Sequence, residues 1–129
     1  MVFDDVVKQI PTLRSKSETE EALNKYSDWF YPFSFINGAS TVFTNDQVFR
    51  IHQSRARLIF PHLEDIFNGK WDSVSCCDIA CNQGWFATQV ALRGAKKVIG
   101  IDARYDHIKK AELIKDLSGI SNLSFNQDD

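Results

Sequence analysis

The chain has 129 residues, of which 43% are hydrophobic and 25% charged, the composition of an ordinary soluble globular domain with a core of its own. Fifteen basic residues against 17 acidic ones give a formal net charge of −2, which excludes a strong overall basic field for nucleic acid but not a local basic patch. No apolar run approaches the roughly 20 residues of a membrane span, and MVFDDVVKQI lacks the basic-then-apolar layout of a secretory signal.

Phe3 to Ile10 is a short apolar stretch ended by Pro11. Ser17-Glu18-Thr19-Glu20 has capping-box spacing and predicts a helix from about Glu18 to Phe30, with Ala22, Leu23, Tyr26, Trp29 and Phe30 on one face. Tyr31 to Gly38 is turn-rich and dense in aromatic residues. A second capping signal at Thr44–Gln47 opens a helix to Phe67. Its apolar stripe is Val48, Ile51, Ile59, Leu63 and Ile66, with a kink or a fresh start at Pro61 and a stop at Asn68-Gly69. The first 70 residues therefore read as a helical N-terminal extension.

From residue 71 onward the pattern is β-α-β-α-β. Val74 to Ala80 is a short, mostly apolar run that suits a strand covered on both faces. Gln83 to Arg93 is helical, with Phe86, Ala87, Val90 and Ala91 apolar and Gly94 as its stop. Lys97 to Ile101 is a second strand ended by Asp102. Tyr105 to Leu117 is a helix carrying Ile108, Ala111, Leu113 and Ile114. Asn122 to Phe125 opens a third strand. Strands joined by helical crossovers imply a parallel sheet with right-handed connections.

The chemistry sits where the first two strands end. Cys77-Asp78-Ile79-Ala80-Cys81-Asn82-Gln83-Gly84 runs from a strand through a tight loop of small residues into a helix, and Asp102 closes the next strand. Open α/β sheets bind ligands at the carboxyl ends of their strands, where small residues admit a ligand to the backbone and a carboxylate accepts from both hydroxyls of a ribose. The G-x-G-x-x-G of a dinucleotide site, which seats a pyrophosphate on a helix N-terminus, is absent.

The layout resembles the first motif of class I S-adenosylmethionine-dependent methyltransferases, acid-x-Gly-x-Gly-x-Gly, with Asp78, Ala80, Asn82 and Gly84 at its acid and three glycine positions. Two glycines are replaced, and Asn82 is a type that tolerates left-handed backbone. Asp102, with Ala103 beside it, matches the family's ribose-binding acid, and Asp128 or Asp129 its adenine-binding acid after the third strand. Cys81 lies in the loop and is placed to touch a ligand through its backbone. Cys-Asn-x-Gly-x-Phe, with Arg93-Gly94-Ala95 and Val98 to Asp102, is similar in style to the branch that includes transfer-RNA wobble-uridine modifying enzymes.

The resemblance implies a Rossmann-like fold that stops after its third strand, S-adenosylmethionine as cofactor, and methyl transfer to an acceptor left open between small molecule, tRNA and protein. It assigns no catalytic residue. The alternative is a non-catalytic cofactor-binding module or scaffold subunit. The length then predicts a fragment, or a chain that self-associates through an exposed sheet edge.

The other notable residues have plainer expected roles. Cys76, Cys77 and Cys81 are an odd set without a second Cys or His pair at zinc spacing. They read as small core residues in a reducing, cytoplasmic setting, with no metal site. Trp29, Phe30, Tyr31, Phe33 and Phe35 read as burial against the sheet. His52, Arg55 and Arg57 read as an exposed helix face, and Lys96-Lys97 and Lys109-Lys110 as solvated charge.

Overall fold

The structure, a computed structural model, describes residues 6–129, so the stretch predicted at Phe3–Ile10 lies partly outside the described residues. Its α-helices are α1 (Lys16–Leu23), α2 (Asp46–Phe67), α3 (Trp85–Leu92) and α4 (Tyr105–Ser118), and its strands β1 (Ser75–Ile79), β2 (Lys97–Asp102) and β3 (Leu123–Gln127). The strands form one parallel sheet in the order β1-β2-β3.

Each strand is added on the same side of the one before. Right-handed crossovers therefore lay α3 and α4 on a single face of the sheet. Register confirms it. Asp78 pairs with Gly100 and Gly100 with Phe125, on the face where Val98, Leu123 and Phe125 are buried. The opposite face carries Cys77, Ile79, Ile99 and Ile101, and Ile79 is 76% exposed. β1 is thus covered on one face, not the two that its apolar run predicts, and Cys77 is exposed rather than a core residue.

Asn45, not Thr44, caps α2, its side chain accepting from the Val48 N–H. Its buried stripe is His52, Ala56 and Phe60, flanked by Phe49, Leu63 and Phe67, whereas the predicted Ile51, Ile59 and Ile66 are exposed. The aromatic residues win because their partners are aromatic: Phe60 lies 5.8 Å from the Phe86 ring and 6.4 Å from Trp85, and Tyr31 stacks on His52 at 4.1 Å. His52 is therefore buried, correcting its reading as an exposed residue. The helix runs through Pro61 and ends at left-handed Asn68.

α1 starts two residues earlier than predicted. Ser15 and Glu18 form the reciprocal capping box, and this start turns Thr19, Ala22 and Leu23 inward. It ends at Leu23, short of the predicted Phe30, because the chain leaves helical geometry. The Trp29 indole N–H donates to the Leu23 carbonyl, and Asp28 has φ +59°.

The aromatic segment beyond it is irregular and is held by specific bonds. Ile10 pairs with Phe35, and the Thr41 hydroxyl donates to the Tyr31 carbonyl while accepting from the Phe33 N–H. Trp29, Tyr31, Phe33 and Phe35 are buried, while Phe30 is 46% exposed. Their ring neighbours include α2, α3, α4 and each other.

Candidate functional site

The loop between β1 and α3 is built from left-handed residues. Ala80 has φ +59°, Asn82 +55° and Gly84 +79°, so the backbone turn survives at all three positions although only the last keeps glycine. Gly84 has a second reason to lack a side chain: a Cβ there would lie 2.5 Å from the Phe125 ring. A Cβ at Gly100 would lie 2.6 Å from the same ring and 3.0 Å from the Cys81 sulfur. Phe125 therefore fills a slot that two glycines open, and it draws the loop, β2 and β3 together. Sequence reasoning missed Gly100, whose only signal was a glycine inside an apolar strand.

Asp102 ends β2 beside this loop and is nearly buried. One carboxylate oxygen accepts from the Asn82 N–H and the other from the Arg104 N–H, both at 2.8 Å. Each oxygen keeps a lone pair for a further donor. Asp78 faces the same region from β1 and is half-buried. Burial pushes its carboxyl above the usual carboxylate range, the Ala87 N–H at the start of α3 pulls it down, and Asp102 raises it further. Asp78 thus faces the start of α3 across the loop.

Cys81 is buried under the loop. Burial, then Asp78 and Asp102, push its thiol up to about 12, so it stays protonated. Its backbone N–H donates to the Ile101 carbonyl at 2.9 Å, which occupies the group expected to meet a ligand. Ala80 and Ala103 are exposed at the rim. The Asp128 N–H donates to the Asp102 carbonyl at 3.1 Å, and the Asp128 and Asp129 side chains lie exposed past the end of β3. Asp78, Asp102 and the two terminal acids thus gather along the carboxyl edge of the sheet.

The N-terminal segment completes this region, which sequence reasoning did not foresee. Gln83, fully buried in the loop, donates through Nε2 to the Asp28 carbonyl at 3.0 Å and accepts through Oε1 from the Phe30 N–H at 2.9 Å. The His52 Nε2 is 2.7 Å from the Phe30 carbonyl. Next in the chain, Tyr31 lies between His52 and Trp85, its ring 5.8 Å from the indole and nearly parallel to it. Burial raises the Tyr31 phenol, Arg55 lowers it, and Asp78, Cys81 and Asp102 raise it again. Its hydroxyl therefore lies within electrostatic reach of the acids at the strand ends. Arg55 and Arg57 are exposed, as are Lys96 and Lys97, while Lys110 reaches the Asp28 carbonyl at 3.4 Å.

Residues 70–129 match the family described as Methyltransferase domain. Over 90% of the chain, the structure superposes on the N-terminal domain of EvdMO1, solved with SAH bound, at TM-score 0.67 and 15% identity. A second structure of that domain, in the presence of SAH and D-fucose, gives TM-score 0.60 at 14% identity. The PH0226 protein from Pyrococcus horikoshii OT3 is 29% identical over 66% of the chain, at TM-score 0.50, and 36% of its own length is covered. The chain spans about half the length of the EvdMO1 domain it matches (47%). None of the curated proteins matches. Residues 70–129 thus share the Rossmann-like α/β fold of the structures they superpose on, and the likeness in fold extends to residues before them. Among the described residues, no helix is long and apolar enough to cross a membrane.

Proposed function

We propose that the chain is the cofactor-binding part of a class I S-adenosylmethionine-dependent methyltransferase, with residues 1–70 an extension and 71–129 the first half of the catalytic domain. The observation that carries this reading is Asp102. A nearly buried carboxylate stands at the end of the second parallel strand, one oxygen bonded to the left-handed loop and the other to the start of α4, with lone pairs to spare. That donor and acceptor chemistry fits a ribose diol.

In this reading Asp102 would take the ribose hydroxyls, with Ala103 beside it at the rim of the site. Asp128 or Asp129 accepts from the adenine amine. Ala80, Asn82 and Gly84 bring backbone to the amino-acid end of the cofactor, with Cys81 beneath them and its N–H spent on Ile101, and Asp78 faces them from β1. When bound, the cofactor supplies a methyl group on an already activated leaving group, so the chain's own work is positioning and the exclusion of water. The acceptor is a small molecule, a tRNA or a protein. A wobble-uridine acceptor rests on the Cys-Asn-x-Gly-x-Phe resemblance alone. The three free cysteines support a reducing, cytoplasmic setting. Both outer strands have an unpaired edge among the described residues, which supports self-association through the sheet.

Calorimetry with S-adenosylmethionine and S-adenosylhomocysteine (SAH) tests the reading. Asp102→Ala is expected to weaken SAH binding by about 1–3 kcal/mol, the loss of two hydrogen bonds. Unchanged affinity removes Asp102 from the site, and absence of binding to the folded chain ends the proposal. Binding without methyl transfer to any acceptor favours the non-catalytic module.

A further inference from the structure

Two fully or nearly buried glutamines grip the N-terminal extension in the same way. Gln89, within α3, accepts from the Lys8 N–H and donates to the Lys8 carbonyl, both at 2.9 Å. Gln83 does this to the Asp28 carbonyl and the Phe30 N–H. Each side-chain amide acts as a piece of strand backbone, satisfying one donor and one acceptor on a segment with no regular structure of its own. Their locations differ. Gln89 lies in the body of a helix, whereas Gln83 lies between left-handed Asn82 and left-handed Gly84, and its backbone N–H is held by the Asn82 side chain at 2.8 Å.

We propose that Gln83 is a positioning residue of the cofactor site: its amide ties the strap Asp28–Tyr31 to the loop Ala80–Gly84, so that strap and loop become ordered together when cofactor binds. The inference rests on the cofactor reading above. The strap has a hold on each side of Phe30: Gln83 on its N–H and His52 on its carbonyl. With both in place, Tyr31 is set against Trp85, the residue that follows Gly84 and opens α3. Moving the loop therefore moves the strap. The bond is a complementary pair, so a side chain that only accepts, or does neither, breaks the Gln83 hold on the Asp28 carbonyl, the Phe30 N–H or both.

Hydrogen exchange on the unaltered full chain, with and without SAH, gives the first test. SAH is expected to slow exchange of the Phe30 amide by a factor similar to that for the Asn82 amide. Protection of Asn82 with Phe30 unchanged overturns the proposal and leaves the cofactor reading intact. No effect of SAH on either amide, with no heat of binding, overturns both.

The second test measures SAH affinity in variants. Gln83→Ala is expected to weaken SAH about tenfold through two lost bonds, while Gln89→Ala lowers stability without that loss of affinity. Gln83→Glu separates position from mere packing. Near pH 8 its carboxylate is expected to accept but not donate, binding SAH as weakly as Gln83→Ala; near pH 5.5 the protonated acid again donates to Asp28 and accepts from Phe30, and affinity recovers. The titratable groups around the strap, His52 on α2, His107 and Lys110 on α4, Asp28 itself and Asp102 on β2, are common to all variants, so the unaltered chain at the same pH values is the reference. Affinity of Gln83→Ala within twofold of the unaltered chain overturns the proposal, and so does an equal loss in Gln89→Ala.

Discussion

Gly84→Ala is the sharpest test of how the loop is built. The new Cβ would lie 2.5 Å from two carbons of the Phe125 ring and 3.1 Å from the Ala111 methyl, on a residue with φ +79°. Left-handed backbone costs a residue with a Cβ about 1 kcal/mol. Overpacking a filled slot costs about 1–3 kcal/mol more, because Phe125 is buried against β2 and has nowhere to retreat. The expected destabilisation is therefore about 2–4 kcal/mol. For a chain of this length that lowers the melting temperature by roughly 7–15 °C. Urea unfolding followed by tryptophan fluorescence measures it. Phe125→Leu separates the two contributions. In that background the slot has room, so the cost of Gly84→Ala should fall to the backbone share of about 1 kcal/mol. A cost that is the same with and without Phe125, or below about 1 kcal/mol in both, would refute the account of the glycine slot.

Ala80 has φ +59° without glycine's freedom, so Ala80→Gly should stabilise the chain by about 0.5–1 kcal/mol after glycine's greater unfolded entropy is subtracted; urea midpoints that fall instead contradict the strain at this turn. Burial holds His52 and His107 below the usual imidazole range, so at pH above about 6.5 both are neutral folded or unfolded, and below it the unfolded chain takes up protons first. Stability should fall as pH drops from about 7.5 to 5.5, and His52→Gln, which keeps a donor for the Phe30 carbonyl, should flatten part of that slope in denaturation curves taken across the range. Asp78 has a raised carboxyl, so its ionisation costs the fold free energy that sets in as pH rises through the unfolded value. Asp78→Asn, which can still accept from Ala87, should stabilise more at pH 7 than near pH 4, and an equal effect at both values would show that desolvation of the carboxylate is not the cause.

The β-α-β-α-β half was legible because its signals are local. Gly94 and Gly119 stop helices where expected, and β2, α4 and β3 begin within a residue of their predicted starts. The turn chemistry of the loop was legible in part, since Asn82 and Gly84 are types that tolerate positive φ, whereas Ala80 adopts it without any such signal. The N-terminal half was less so. Helical periodicity gave α2 its length but largely the wrong face, because hydropathy ranks isoleucine above histidine and cannot see that Tyr31 and Phe43 offer His52 an aromatic pocket. Residues 26–30 continue a helical pattern that the structure does not follow, and residues 31–44 carry no periodic signal. Their path is set by single long-range bonds, from Gln83, His52 and Thr41, that sequence spacing does not reveal. The bare face of the sheet was illegible for a topological reason: an apolar strand announces that it can be covered on both sides, while strand order decides which side receives the helices.

The three cysteines give the molecule a built-in gauge of its own opening. Cys77 lies on the bare face, open to reagent, whereas Cys81 lies beneath the left-handed loop with its thiol held in the unreactive protonated form. An alkylating reagent should mark Cys77 in the resting molecule and reach Cys81 only when the loop lifts from Gly100 and Phe125. The rate at the second sulfur then times excursions of the loop, and the rate at the first reports whatever comes to rest on the sheet.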